Sequence, residues 1–199
     1  MKYYLKESIF PFVYVIFMSL IALSIEIIEG LLWLKILLAI LNVGFYGVVV
    51  AGIAFKDGQD AMRVRYANDL ERKEIIRTGE DRPLKINEEY KSWKGFAFGF
   101  ISCVPLLVLL LLHTVLYLAT GSVRLGAIAS LLYLTFFIFF NPNLIDSVTV
   151  SWYAYYGTLI ALPIIMALTG ISYILGAKKT ERQQEMIKEK QRRIYGENN

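Results

Sequence analysis

The chain has 199 residues, of which 56% are hydrophobic and 19% charged, and its mean hydropathy is +0.50. An ordinary soluble domain carries about 25% charged residues. Here the polar residues concentrate in residues 56–94 and 178–199, and the remaining runs are apolar on every side, which indicates lipid contact. We therefore predict an all-α integral membrane protein. The single cysteine, Cys103, excludes an intramolecular disulfide, and the single histidine, His113, excludes a histidine cluster.

The N-terminal part, residues 1–55, is predicted to be a transmembrane hairpin. A spanning helix needs about 20 apolar residues, and residues 9–28 and 31–55 both provide them on either side of a very short turn at Glu29-Gly30. Bulky apolar residues continue past the possible cleavage site Ala22-Leu23-Ser24, which favours a retained span over a cleaved signal peptide. In the second span, Gly44, Gly47 and Gly52 either allow close helix approach or reflect the general frequency of glycine in membrane helices.

Residues 56–94 are predicted to form a charged helical loop. Met62, Tyr66 and Leu70 recur at a spacing of four, so the helix either extends the second span or lies across the membrane face. Asp57 and Asp60 are expected in the first turns of a helix that starts here.

Two features are expected after this helix. Gly79, followed by Pro83, is expected to stop it in a left-handed cap. Tyr90, Lys91, Trp93 and Lys94 are expected to anchor the next span at the membrane interface.

The C-terminal membrane region, residues 95–176, has a third span at 96–118 and another at 154–175, separated by an apolar run at 125–140. This run would be about 24 Å long as a helix, short of the roughly 30 Å core. It ends at Asn141-Pro142-Asn143, where Pro142 disfavours helix. The prediction is thus four to five transmembrane helices, with the fourth segment either crossing fully or re-entering the side it came from.

Basic residues mark the cytoplasmic side of a membrane protein. Ten lie in residues 56–94 and seven in the tail from Lys178, whereas residues 125–177 contain none. With the N-terminus inside, a re-entrant fourth segment puts both basic regions in the cytoplasm, which favours that topology. Five full crossings, with the tail outside, remain the alternative because the fourth run is very apolar. We expect the protein in the plasma (inner) membrane of a bacterium.

The tail, residues 177–199, is predicted to be a solvated basic helix. Its cations can contact anionic lipid at the cytoplasmic face, although interspersed glutamates weaken that attraction, and nucleic acid is not expected as a partner. The candidate contact residues are Lys178, Lys179, Arg182, Lys188, Lys190, Arg192 and Arg193.

Polar residues within membrane spans are functional candidates because they are unfavourable in lipid. His113 lies in the third span, where it can bond a neighbouring helix or belong to a substrate or proton path. Asn42 is expected to join helices. The other candidates lie near span ends, where water is expected to reach the two glutamates: Glu26, Glu29, Asn141 and Asn143.

No complete catalytic motif is visible. Asp57-Gly58-x-x-Ala61 resembles the start of the CDP-alcohol phosphatidyltransferase motif, but Met62 replaces its arginine and its later aspartates are missing, so we reject the resemblance. We expect no cofactor, no metal and no enzyme activity. The favoured function is an accessory or scaffold subunit of a membrane complex, with a membrane-protein partner or a homo-oligomer. The alternatives are a small permease or channel-like component and, with least support, a membrane enzyme acting on lipid.

Overall fold

The computed structural model describes residues 2–27, 31–138 and 152–195. These ranges contain no strand, which confirms the all-α prediction for them. The helices are α1 (Lys2–Glu26), α2 (Leu32–Thr78), α3 (Lys94–Thr120), α4 (Arg124–Leu132), α5 (Leu134–Phe137) and α6 (Ala161–Tyr195), with 3₁₀ turns at Ile86–Glu88 and Trp152–Ile160.

Four helical segments in the described ranges are long and apolar enough to cross a membrane: Tyr3–Glu26, Leu32–Thr78, Lys94–Thr120 and Trp152–Ile194. The last is the second 3₁₀ turn together with α6. These segments support the prediction of a multi-pass membrane protein.

Helix α2 has 47 residues and is therefore about 70 Å long, more than twice the thickness of the hydrocarbon core. Its apolar part, residues 32–55, suffices to span the membrane, and the charged part continues as the same helix. Of the two predicted arrangements, the extension of the second span is the correct one. The helix ends as predicted at Gly79, whose φ is 71° and whose N–H donates to Ile75 O.

Helix α6 packs between α2 and α3. It meets α2 at two facing glycines, since a Cβ on Gly58 would overlap the carbonyl of Tyr173 and a Cβ on Gly176 would overlap that of Phe55. Farther along the pair, Gly47 of α2 faces the Leu168 side chain of α6 at 3.7 Å. Lower residue numbers in α2 thus pair with lower numbers in α6, so the two helices run parallel.

The glycines that the sequence suggested for close packing are mostly elsewhere on the helix surface. A Cβ on Gly44 or Gly52 would meet no atom within 4 Å. For these two residues the structure favours the second explanation, the general frequency of glycine in membrane helices, and the contact that needs glycine in α2 is at Gly58. In membrane helices, small residues are favoured where backbones touch, but their number alone does not identify the face.

The fourth apolar run does not form one helix. It breaks at Tyr133 between α4 and α5, and all residues from 133 to 138 are at most 3% exposed. The Tyr133 hydroxyl donates to Ser102 O at 3.0 Å, and the Ser19 hydroxyl donates to Leu132 O at 3.0 Å. The irregular backbone is therefore inside the protein, where partners for its polar groups are available.

Contacts along α1 give the depth of this segment. Leu132 meets Ser19, whereas Ile138 belongs to a cluster with Ile25 and Ala39. From Ser19 to Ile25, α1 rises by about 9 Å towards its C-terminal end. Leu132 therefore lies level with Ser19, and Ile138 lies nearer the C-terminal end of α1. Residues 139–151, which include Asn141, Pro142 and Asn143, lie outside the described ranges.

Candidate functional site

His113 is fully buried in α3 near the start of the second 3₁₀ turn. Its Nε2 lies 3.2 Å from Trp152 O, and because a carbonyl only accepts, Nε2 carries the hydrogen. The ring packs edge-on against Tyr155, 5.3 Å away between centroids, and a Cβ on Gly126 would come within 2.9 Å of His113 Cε1. Nδ1 has no hydrogen-bond partner among the described residues. The surroundings are packed tightly, which suits a structural contact.

Asn42 of α2 lies in a different part of the bundle. It is 5% exposed, and its Nδ2 donates to Met18 O of α1 at 3.1 Å. This is the interhelical hydrogen bond that the sequence suggested. No hydrogen bond or ring contact in the described ranges joins Asn42 to His113, so the structure does not bring these two candidates into one site.

Glu26 was expected to be reached by water, but it is 4% exposed. Lys35 of α2 lies against it, with its Nζ 4.0 Å from Glu26 Oε2 and donating to the Glu26 carbonyl at 3.0 Å. The expectation is wrong because α2 folds back and covers this end of α1. The turn residue Glu29 lies outside the described ranges.

The seven basic candidates of the tail all lie on α6 and are exposed. Lys179 Nζ is 5.5 Å from the centre of the Phe55 ring, and Lys188 Nζ is 5.6 Å from that of Tyr66. Both aromatic residues belong to α2. The charged parts of α2 (residues 56–78) and α6 (residues 177–195) therefore run side by side, and we call this pair of helices the arm. The sequence gives no signal for this pairing.

A groove on the arm lies between Arg63 of α2 and the residues of α6 that follow Lys179. It has a volume of about 380 Å³ and is lined by Arg63, Thr180, Gln183, Gln184, Met186, Ile187 and Lys190. The lining combines apolar and uncharged polar side chains with two cations, and it contains no carboxylate.

Lys94, at the start of α3, is fully buried, so its predicted role as an interfacial anchor is wrong. Its Nζ donates to Asn87 O at 2.6 Å and to Glu89 O at 2.5 Å, and it lies 5.2 Å from the centre of the Tyr3 ring. Lys94 thus fastens the loop before α3 to the start of α1.

Glu89 fastens the same loop to α2. Its Oε1 accepts hydrogen bonds from Asn68 Nδ2 and from Arg72, both at 2.5 Å. The backbone N–H of Tyr90 also donates to Ala61 O at 3.1 Å. The loop is therefore packed against the charged end of the bundle and the base of the arm.

A second pocket, of about 430 Å³, lies at the charged end. It is lined by Tyr3, Lys6, Glu7, Asp57, Asp60, Ala61, Val64 and Glu88. Asp57 sits within the continuous helix α2, so its predicted place in the first turn of a new helix is wrong. Burial raises the pKa of Asp57 to about 7, with Glu7 and Asp60 adding to the rise and Lys56 and Lys6 opposing it.

This pKa gives an expected pH dependence. The folded-state pKa of Asp57 lies above its ordinary value of 3.8, so the folded protein holds a proton that the unfolded chain releases. Stability is then lost as pH rises from about 4 to about 7. In melting curves of detergent-solubilised protein, Asp57→Asn should raise the melting temperature at about pH 8 more than at about pH 5. The control Asp81→Asn changes an exposed carboxylate, and an equal effect of both variants would contradict the assignment.

The described residues contain no group of three or more His, Cys, Asp or Glu side chains that could hold a metal ion. No protein-family model, curated protein or solved structure matches the chain. Its function must be argued from its own residues.

Proposed function

We propose that the protein is an accessory or scaffold subunit of a membrane complex, whose arm binds a partner at the membrane surface. The observation that carries the proposal is the continuity of α2 and α6 from their apolar parts into the arm. Two unbroken helices make a rigid projection that is fixed in orientation to the membrane domain. Such a projection suits the positioning of another protein.

The surface of the arm supports this function. Apolar side chains are exposed within its charged sequence: Leu70 is 68% exposed, Ile76 83%, Met186 54% and Ile194 72%. They lie beyond the apolar part of each helix, so lipid does not cover them. Exposed apolar side chains on an otherwise charged helix pair provide area that a protein partner can cover.

The interior polar groups favour a scaffold over the alternative of a permease. A permease needs polar side chains from several spans around one path. Here Asn42 bonds the backbone of α1, Ser19 bonds that of α4, and His113 bonds Trp152. Each of these groups serves a separate helix contact.

For the topology, we propose that the N-terminus, residues 56–94 and the tail are cytoplasmic, and that residues 125–140 enter the membrane and return. The shared position of Leu132 with Ser19 and of Ile138 with Ile25 supports the return. Trp152 supports it as well, because its ring stacks on Tyr117 near the C-terminal end of α3 at 5.0 Å. The contact of Lys188 with Tyr66 fits a tail on the same side as residues 56–78.

Anionic lipid remains a proposed partner only for the first basic residues of the tail. Lys178, Lys179 and Arg182 follow the apolar part of α6 directly, where the surface potential of the membrane is felt. Arg193 lies fourteen residues beyond Lys179, about 21 Å along the helix, which exceeds the Debye length of roughly 10 Å at 0.1 M salt. The distal cations are therefore better placed to meet a protein.

Co-purification tests this function. The full chain, extracted in mild detergent, should elute with a defined partner in a fixed ratio. A variant with glutamate at Leu70 and Ile194 should lose that partner while keeping its own elution volume, since both side chains are exposed in the arm. Ile86 is 53% exposed but lies in the loop before α3 and not on the arm, so Ile86→Glu is the control. Recovery of the monomer alone from native membranes would contradict the proposal.

A further inference from the structure

We propose that the groove on the arm, defined above, binds an acidic amphipathic helix of a partner protein. The proposal rests on the scaffold function and specifies the chemistry of what the scaffold holds. Three features of the groove carry it: an unpaired buried hydroxyl, an open apolar wall and a positive charge without a carboxylate in the lining.

Thr180 provides the first feature. It is 2% exposed, yet its Oγ1 has no hydrogen-bond partner in the described part of the chain. A threonine inside a helix ordinarily donates to the carbonyl four residues earlier, as Thr78, Thr114 and Thr169 do here. Thr180 lines the groove without that bond. Its oxygen is covered by the protein itself, so a group that enters the groove reaches the hydroxyl only after the Thr180 side chain turns.

The apolar wall is the second feature. From Glu181 to Ile194, every α6 side chain except that of Gln184 is exposed, so α2 covers this part of α6 only in part. Met186 is 54% exposed and Ile187 48%, and both line the groove. A partner helix that places apolar residues at every third and fourth position would cover this wall.

The charge of the groove is the third feature. Arg63 and Lys190 stand in its lining without a lining carboxylate. Arg63 makes one ion pair, with Asp60 at 3.0 Å, and Asp60 lies outside the lining. The Arg63 side chain is 61% exposed and that of Asp60 is 50% exposed, so the guanidinium stays accessible. Lys190 forms no ion pair among the described residues. Electrostatic complementarity therefore favours glutamate or aspartate on the partner.

A lipid surface fits these features less well. Ile187 lies eight residues beyond Lys179, about 12 Å along an unbroken helix, so acyl chains do not reach the apolar wall. A headgroup could meet Lys190 only by its charge, without covering Met186 or Ile187. The groove offers charge and apolar area together, which an acidic amphipathic helix matches.

Binding of a synthetic peptide tests the proposal. The full chain is placed in nanodiscs of uncharged lipid, and the probe is a labelled eighteen-residue helical peptide with leucine on one face and glutamate on the other. Its affinity is measured by fluorescence anisotropy, beside a peptide in which lysine replaces every glutamate. We expect the acidic peptide to bind and the basic peptide to bind at least about tenfold more weakly.

Matched variants locate the site. Lys190→Glu reverses a charge in the groove, and Arg192→Glu makes the same change about 200° around the helix. Lys190→Glu and Ile187→Glu should each weaken the acidic peptide by about tenfold, whereas Arg192→Glu should change its affinity by less than about threefold. Thr180→Val should weaken binding without lowering the melting temperature of the free protein, because it removes a hydroxyl that has no partner there.

Equal weakening by Lys190→Glu and Arg192→Glu would overturn the proposal, since it would assign binding to the general charge of the tail. Displacement of the peptide by vesicles of anionic lipid, with the same dependence on Lys190, would assign the groove to lipid instead. A native partner that still co-purifies with the Ile187→Glu variant would refute the groove while leaving the scaffold function intact.

Discussion

Replacement of Gly176 by alanine is expected to destabilise the protein by about 3 kcal/mol or more, a magnitude at the upper end for overpacking. The added Cβ would overlap the carbonyl of Phe55, and one on Gly58 would overlap that of Tyr173. Neither obstacle is a side chain that can rotate away, so α2 and α6 must separate. The melting temperature and the elution profile in detergent would measure the loss for Gly176→Ala and Gly58→Ala.

Gly52→Ala is the matched control, because a Cβ at Gly52 in the same helix α2 meets nothing within 4 Å. Alanine is favoured over glycine in a helix by up to about 1 kcal/mol, so this variant should be as stable as the wild type or slightly more stable. Equal destabilisation by Gly52→Ala and Gly58→Ala would show that the helix crossing is not where the structure has it.

Replacement of Lys94 by methionine is expected to destabilise the charged end of the bundle by about 2–4 kcal/mol. Methionine retains most of the volume but leaves the carbonyls of Asn87 and Glu89 without their donor, and an unsatisfied buried polar group costs about 1–3 kcal/mol. Limited proteolysis should then cleave the loop at residues 79–93 sooner, in addition to the fall in melting temperature.

Lys91→Met is the control, since Lys91 is exposed and lies in the loop three residues before Lys94. It should change stability by less than about 0.5 kcal/mol. If the two lysine variants behave alike, Lys94 is an ordinary surface cation and the loop is held by other contacts.

Hydropathy predicts the membrane-spanning helices well because lipid imposes a simple condition on each span. The end of α2 is also visible in the sequence, since Gly79 and Pro83 are the first strong stop signals after Phe55. Its continuity past Phe55 is not, because the same residues also fitted a separate helix that starts near Asp57. Gly58 does not interrupt the helix. This residue allows α2 to continue from the membrane into the arm as one helix.

The break at Tyr133 has no such local signal. The surrounding residues, LLYLTFF, contain no glycine or proline. The interruption depends on partners that are distant in sequence, namely Ser102 and Ser19. The periodicity of a sequence indicates which residues are buried from water. It gives little information on which of them contact one another.

The candidate site was predicted only in part, for the same reason. The tail was correctly identified as a basic helix, but its pairing with α2 depends on contacts such as Lys188 with Tyr66. The burial of Glu26 beside Lys35 requires the fold of the hairpin. Thr180 could not be identified as a candidate from the sequence, because only the structure shows that its hydroxyl has no hydrogen-bond partner among the described residues.

In the proposed topology, the arm, including the tail, faces the cytoplasm, while residues 141–153 lie on the opposite side of the membrane. Cysteines introduced as Ile145→Cys and Tyr195→Cys, each in a Cys103→Ser background, test it with a membrane-impermeant thiol reagent on intact cells. We expect labelling at position 145, and at position 195 only after the cells are opened. Labelling of position 195 in intact cells, with position 145 protected, would contradict the account and establish five full crossings.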